Sequence, residues 1–107
     1  MIINDTEDLL SRWKRLRVSD HALREAYKEG LRGRDILHAI FNGQIVEHYP
    51  KRRRLLIAGP VVQYPLPIHV VCDYTDKSEL VAVTVYIPNR PRWINERIRG
   101  MMPGPVS

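Results

Sequence analysis

In the first part of the chain, hydrophobic residues recur three and four positions apart, which is typical of amphipathic helices. This spacing predicts three short helices, over residues 6–16, 20–29 and 33–42. Ser19 is the expected N-cap of the second helix, and Gly30 is the expected residue at its end. Helices this short need tertiary packing to be stable, so each must bury its apolar stripe.

From Gln44 the period changes to alternation, and Val, Ile, Thr and Tyr become frequent. The pattern predicts four strands, over residues 44–49, 52–59, 67–74 and 80–88. A short helix is expected over residues 90–99, followed by a frayed tail from about 100 to 107. Helices followed by strands predict an α+β fold, with two to three N-terminal helices on one face of a four-stranded, mainly antiparallel sheet.

Composition narrows the functional classes. A chain of 107 residues is expected to form one domain, and the single Cys72 excludes an internal disulfide. The acidic N-terminus lacks signal-peptide character, and Pro and Gly interrupt the uncharged run from Leu55 to Cys72. These features predict a cytoplasmic protein without a membrane span. The net charge of +5 suits an anionic partner such as RNA.

The third and fourth strands predict a His–Tyr pair. Their more apolar faces are expected in the core; these faces carry Ile68, Val70 and Cys72 on one strand, and Val81, Val83, Val85 and Ile87 on the other. Because both sets must lie on the same side of the sheet, His69 should share the open face with Thr84 and Tyr86. His and Tyr within reach of each other can transfer protons. The alternative, which the pattern alone favours, is a half-solvated sheet face carrying ordinary polar residues.

A run of four cations, residues 51–54, precedes the apolar part of the second strand. Strand alternation predicts Arg52 and Arg54 on one face and Arg53 on the other. Arg53 or Arg54 could therefore contact a phosphate, while the remaining cations aid solvation and discourage edge-to-edge association.

Other residues have competing interpretations. His21 could be a general base or phosphate ligand, or a hydrogen-bonded tie from helix to sheet. Tyr49 could stack on a base, although a strand-ending role is simpler. His38 and His48 are expected at the surface or rim, and Trp93 is expected to cover a sheet edge. No metal site or cofactor is expected, because the sequence has neither HExxH spacing nor a cysteine cluster.

Four segments carry a family resemblance: SDHALREAYKEGL, RDILHAIFNGQIVEHYP, PIHVVCDY and TVYIPNRPRW. In this order, over residues 19–93, they resemble the bacterial family DUF4258, which is more distantly similar to RelE-like and MqsR-like toxins of toxin–antitoxin pairs. The resemblance implies a small RelE-like α+β fold and cleavage of messenger RNA without a metal. It also implies a partner that inhibits the protein, such as a zinc-finger-type antitoxin.

One departure from the family pattern concerns the second predicted helix. Glu25 and Glu29 stand where many members carry Arg, so a phosphate contact from this helix would fall to Arg24 or Lys28.

Three hypotheses result. The first is a metal-independent endoribonuclease; its candidate catalytic residues are His69, Tyr86, His21 and Arg54, and its candidate RNA-binding residues are Arg24, Arg52, Arg53 and Tyr49. The second is a non-catalytic module that binds a protein or nucleic acid through its sheet face. The third is a regulator that binds a small molecule.

Overall fold

The computed structural model describes residues 14–88, which form two helices and a five-stranded sheet. In chain order the elements are β1 (Arg15–Val18), α1 (Asp20–Lys28), α2 (Gly33–Asn42), β2 (Gln44–Tyr49), β3 (Arg54–Gly59), β4 (Ile68–Asp73) and β5 (Glu79–Tyr86). The strand order is β1-β5-β4-β3-β2; β1 runs parallel to β5, and the other neighbours are antiparallel. The predicted α+β class is confirmed, with one strand more than expected.

Side-chain hydrogen bonds to the backbone mark the start of both described helices, and the predicted N-cap Ser19 is confirmed. The Ser19 hydroxyl accepts a hydrogen bond from the Ala22 N–H at 3.1 Å, so Ser19 is the N-cap of α1. At the start of α2, the Asp35 carboxylate accepts from the Arg32 N–H at 2.8 Å. Gly30, with φ of 78°, follows α1 in the left-handed conformation that glycine adopts without strain.

Strand β1 corrects the prediction of a helix over residues 6–16. Arg15 and Leu16 lie in a strand, whereas residues 6–13 of that prediction lie outside the described residues. The strand alternates: Leu16 and Val18 pack against the core, and Arg15 and Arg17 are exposed. Pairing with β5 outweighs a weak helical period in so short a segment. The predicted helix over residues 90–99, Trp93 and the tail also lie outside the described residues.

The core lies between one face of the sheet and the two helices. Its fully buried side chains on the helices include Ala22, Ala26, Ile36, Ala39 and Ile40. The sheet contributes alternate residues, including Leu55, Ile57, Ile68, Val70, Cys72, Leu80, Ala82 and Val85. The opposite face of the sheet carries no described helix and is called here the open face.

A β-bulge interrupts the pairing of β4 with β5. Val71 pairs with Thr84, but the next residue, Cys72, pairs with Ala82, so Val83 is one extra residue in β5. A bulge of this kind reverses the inward–outward alternation of the strand that carries it.

This reversal corrects the predicted core face of the fourth strand. Before the bulge, the buried residues are Leu80 and Ala82, at 1% and 0% exposure, rather than Val81 and Val83. After the bulge, Val85 is buried as expected. The prediction assumed unbroken alternation, and an extra residue inside a valine-rich run leaves no evident pattern in the sequence.

Beyond the end of β1, helix α1 and its N-cap provide hydrogen-bond partners for the backbone of β5. The Ser19 N–H donates to the Ala82 carbonyl at 2.9 Å, and the Val85 N–H donates to Glu25 Oε1 at 2.9 Å. The other carboxylate oxygen of Glu25 lies 3.1 Å from His21 Nε2. The tie from helix to sheet expected of His21 is therefore made by Glu25, and His21 contacts Glu25 rather than a backbone carbonyl.

Glycine permits a close approach between α2 and β3. A Cβ atom at Gly59 would lie 2.0 Å from the Ala39 carbonyl oxygen, which is fixed in the helix backbone. By contrast, a Cβ atom at Gly33 would lie 3.2 Å from a methyl group of Leu23, a flexible and partly exposed side chain.

We expect Gly59→Ala to lower the free energy of unfolding by about 3 kcal/mol or more, because α2 must shift to relieve the clash. The matched variant Gly33→Ala should change it by less than about 1 kcal/mol, because alanine favours helices and Leu23 can move. Urea denaturation followed by circular dichroism measures both variants. Equal stability of the two variants would contradict this description of the interface.

Candidate active site on the open face of the sheet

His69 and Tyr86 meet on the open face. They are directly paired residues of β4 and β5, and His69 Nδ1 lies 3.1 Å from the Tyr86 hydroxyl oxygen. Their ring centroids are 5.1 Å apart with an edge-to-face angle of 70°. The predicted proximity of these two side chains is confirmed, because both lie beyond the bulge, where the predicted register holds.

A second bulge brings Glu47 and Tyr49 to the same face. Ile45 pairs with Ile57, and Glu47 pairs with the next residue of β3, Leu56, so Val46 is one extra residue in β2. Unbroken alternation would have placed Glu47 and Tyr49 on the core face with Ile45.

The Tyr49 hydroxyl donates a hydrogen bond to the Glu47 carboxylate. We name Glu47, Tyr49, His69 and Tyr86, four of the residues on this face, the open-face cluster. The sequence pattern predicted no role for Glu47. The available signal was a Glu and a Tyr two positions apart in a strand, which must share a face.

Partial burial keeps the His–Tyr pair neutral near pH 7. Burial lowers the pKa of His69 below its ordinary value, and the negative charge of Glu47 opposes this shift. Burial raises the pKa of Tyr86, and Glu47 raises it further. A neutral imidazole can accept a proton and a protonated phenol can donate one, which are the two proton transfers that acid–base catalysis would need.

Glu47 also connects this pair to the run of cations at residues 51–54, called here the basic turn. The hydrogen bond from Tyr49 to Glu47 raises the pKa of Tyr49, with contributions from burial and from the Glu47 charge. The positive charge of Arg52 acts in the opposite direction. Electrostatic contact thus extends from His69 and Tyr86 through Glu47 and Tyr49 to Arg52.

Arg54 is not brought to the His–Tyr pair. Its guanidinium Nε lies 2.9 Å from Asp73. Burial acts to raise the pKa of Asp73, but hydrogen bonds from Thr75 and Arg54 outweigh it and lower that pKa. Arg54 is four residues along β3 from Ala58, the residue opposite His69, a separation of about 13 Å at the usual rise of a strand. Its predicted place in a catalytic centre with His69 therefore lacks geometric support.

The basic run adopts a turn rather than a strand, which corrects the predicted alternation. Pro50–Arg52 form a 3-10 turn, and Arg53 is left-handed with φ of 55°. The Arg53 carbonyl accepts a hydrogen bond from the Tyr74 N–H at 2.9 Å. The side chains of residues 51–54 are all exposed at the end of the sheet.

A second His–Tyr pair lies on the opposite face. His48 Nε2 is 2.6 Å from the Tyr74 hydroxyl, and Tyr74 packs against the core. The predicted surface or rim position of His48 is therefore incomplete, because this side chain reaches across β3 and covers one end of the core. His38 is exposed and contacts Asn42, as a surface residue would.

The remaining predicted site residues lie in the helix layer. His21 is on α1 with Glu25, and Arg24 is on the exposed side of the same helix. Helix α1 packs on the core face, whereas His69 and Tyr86 occupy the open face, so the structure does not bring these residues together.

Within residues 14–88, no three or more His, Cys, Asp or Glu side chains are grouped to hold a metal ion. Cys72 is buried, and burial raises the pKa of its thiol to about 12, which makes it unreactive at neutral pH. In the same part of the chain, neither helix has the length and apolar character needed to cross a membrane.

Comparison with protein families gives a match over most of the chain. The profile of a family described as a domain of unknown function, DUF4258, matches residues 18–87. The chain belongs to the DUF4258 family. This DUF4258 segment runs from the end of β1 to the residue after β5 and contains the whole open-face cluster. Comparisons with curated proteins and with solved structures found no match.

We expect Glu47→Gln to lower the pKa of His69, because the substitution removes the negative charge that favours the imidazolium. An NMR titration of the His69 ring protons measures this shift. The matched variant Glu79→Gln removes a carboxylate that pairs with Arg17 at the other edge of the sheet and should leave the His69 pKa unchanged. An unchanged pKa in Glu47→Gln would separate Glu47 from the cluster.

Proposed function

We propose that this DUF4258 protein is a metal-independent endoribonuclease of the toxin type, with a RelE-like mode of action. The observation that carries the proposal is the contact between His69 Nδ1 and the Tyr86 hydroxyl on the open face. The contact joins a neutral base and a protonated acid, which is the combination that cleavage by the RNA 2′-hydroxyl requires when no metal takes part.

A proton relay through the pair accounts for both proton transfers. His69 accepts the 2′-hydroxyl proton at Nε2 while the 2′-oxygen attacks the adjacent phosphorus. The Nδ1 proton passes to the Tyr86 oxygen, and the Tyr86 hydroxyl proton passes to the departing 5′-oxygen. The products are a 2′,3′-cyclic phosphate and a 5′-hydroxyl, and the relay uses the tautomer of His69 that is protonated at Nδ1.

Glu47 has a defined part in this mechanism. The relay places positive charge on the imidazole as it accepts the proton, and the Glu47 carboxylate stabilises that charge. The Coulombic effect of Glu47 on His69, which raises the pKa of the imidazole, supports this role. Glu47 thus acts on the transition state rather than on the neutral ground state.

The basic turn supports binding rather than chemistry in this proposal. Lys51, Arg52 and Arg53 are exposed at the end of β2 and β3, and His69 lies near the opposite ends of the strands. Cations at this distance fit phosphates that flank the reacting one. Tyr49, at 43% exposure and with its hydroxyl bound to Glu47, offers a ring on which an unpaired base can stack.

The second candidate is a non-catalytic module that binds nucleic acid or a partner protein. The same separation between the basic turn and the His–Tyr pair supports it, because binding by the turn does not require the pair. Under this candidate, the hydrogen bond between His69 and Tyr86 only satisfies two half-buried polar groups. A zinc-finger-type antitoxin would be a partner under either candidate.

We expect the purified chain to cleave single-stranded RNA in the presence of a chelator, and His69→Ala to abolish the cleavage. Tyr86→Phe should reduce the rate by about 10²–10⁴-fold, the usual contribution of a positioned acid or base. Gel analysis of 5′-labelled RNA, with detection of the cyclic phosphate, measures the reaction. His38→Ala removes an exposed histidine of the helix layer and is the matched control with wild-type rate.

Two outcomes would contradict the enzymatic proposal. One is absence of cleavage by a wild-type chain that is folded and binds the same RNA. The other is equal loss of cleavage in His38→Ala, which would point to a general effect of histidine removal.

A measurement of oligonucleotide binding tests the basic turn separately from cleavage. We expect the double variant Arg52→Gln, Arg53→Gln to bind a 2′-deoxy-substituted, uncleavable oligonucleotide more weakly. Its log–log salt slope should fall by about 1 for each phosphate that the variant no longer binds. Fluorescence anisotropy at several salt concentrations measures both quantities. The control Lys77→Gln removes an exposed cation from the turn before β5, and its salt slope should match the wild type. An unchanged slope in the double variant would exclude the basic turn from the interface.

A further inference from the structure

Helix α1 carries an apolar surface that is exposed within the described residues, 14–88. Leu23 and Tyr27, one helical turn apart, remain 37% and 69% exposed, whereas Ala22 and Ala26 on the inner side are fully buried. Together with Arg24 and Lys28, these two side chains line a shallow cavity of about 440 Å³. We name these four residues the α1 surface.

The lining of this cavity is almost entirely apolar, although two of its four residues are cations. The aliphatic stems of Arg24 and Lys28 therefore cover the helix while their charged groups extend towards solvent. A docking surface of this kind offers an apolar floor between positive groups. It differs from a phosphate-binding surface, where the charged groups themselves form the floor.

The charged side chains that line the α1 surface are the two cations Arg24 and Lys28. Arg32 adds a third cation, with its guanidinium carbon 5.9 Å from the centre of the Tyr27 ring. Asp20 is an acidic residue of the first turn, and the carboxylate of Glu25 is directed to the Val85 N–H. The partner that matches this arrangement carries apolar side chains flanked by carboxylates.

We propose that the α1 surface binds an acidic amphipathic helix of another protein. Leu23 and Tyr27 lie at i and i+4 and form a ridge, against which the i, i+3, i+4 and i+7 side chains of a second helix can pack. Carboxylates beside that stripe would pair with Arg24 and Lys28. A second copy of the chain fits less well, because its own α1 surface would bring like charges together.

The proposal does not rest on ribonuclease activity. The α1 surface lies in the helix layer, and the open-face cluster lies on the other side of the sheet. A variant without catalytic activity should therefore keep this binding, and the two proposals can fail separately.

The experiment uses the full chain and a fluorescein-labelled helical peptide of about 18 residues. The peptide carries Leu at i, i+3, i+4 and i+7, with Glu at the flanking positions. In the matched peptide, Lys replaces every Glu. We expect the acidic peptide to bind and the basic peptide to bind at least about tenfold more weakly, because the cations of α1 repel it.

Substitutions on α1 test whether the peptide binds at the α1 surface. Tyr27→Ala should weaken binding of the acidic peptide about tenfold or more, as expected for a central aromatic contact. The double variant Arg24→Glu, Lys28→Glu should weaken binding of the acidic peptide and strengthen binding of the basic one. Lys77→Glu makes a charge reversal in the turn before β5 and should change binding less than about twofold.

Three results would overturn the proposal. The first is no binding of the acidic peptide at about 100 μM, a concentration at which a specific helix-in-groove complex would be populated. The second is equal binding of the two peptides. The third is a dimer, seen by sedimentation, that Tyr27→Ala dissociates, since a second copy would then occupy the surface.

Discussion

The register between β4 and β5 determines which residues can meet in this protein. The first half of β5 pairs with β1, and its second half places Tyr86 beside His69. Leu16 and Val18 of β1 must face the core, and so must the β5 residues level with them. Without the extra residue Val83, the correct side-chain orientation in one half of β5 would place the side chains of the other half on the wrong face of the sheet. Either the arginines of β1 would be buried, or the Tyr86 ring would enter the core.

This constraint explains how much could be predicted from the sequence. The helices α1 and α2 were predictable because their signals are local: a capping Ser19, apolar residues at helical spacing and Gly30. The strands from β2 onward were also predictable to within two residues. Strand β1 was not, because four residues carry little periodicity and their partner lies more than sixty positions away.

The candidate site was predictable only in part, for the same physical reason. His69 and Tyr86 lie on the side of the bulge where unbroken alternation gives the right answer. Glu47 and Tyr49 lie beyond the other bulge, at Val46, where alternation gives the wrong face. A bulge changes which side chains share a face without changing composition, so a single sequence gives no direct signal for it. Arg52 and Arg53 were misplaced because the chain turns at Pro50 before the strand begins.

Charge is distributed unevenly over the two sides of the sheet, and this distribution constrains the possible functions more than the net charge of the protein does. On the sheet, Arg17 contacts Glu79 and Arg54 contacts Asp73, which neutralises two of its arginines locally. The turn after β2 and the outer side of α1 carry cations without such described ion pairs in residues 14–88. Glu47 then stands out as a carboxylate close to a surface proposed for an anionic substrate. A negative charge there weakens ground-state binding of RNA, whereas under the proposed mechanism it stabilises the transient imidazolium.

Helix α1 and its N-cap are joined to β5 by hydrogen bonds at Ala82 and Val85 as well as by core packing. Glu25 of α1 accepts the hydrogen bond of the Val85 N–H, and Tyr86 is the next residue along β5. A partner seated on α1 contacts neither His69 nor Tyr86 from its own side of the sheet. The distance between the His69 and Tyr86 side chains is set within the sheet, where the two residues are directly paired. Glu25 therefore supports the end of β5 from the helix side, whereas the register of β4 with β5 determines which side chains meet on the open face.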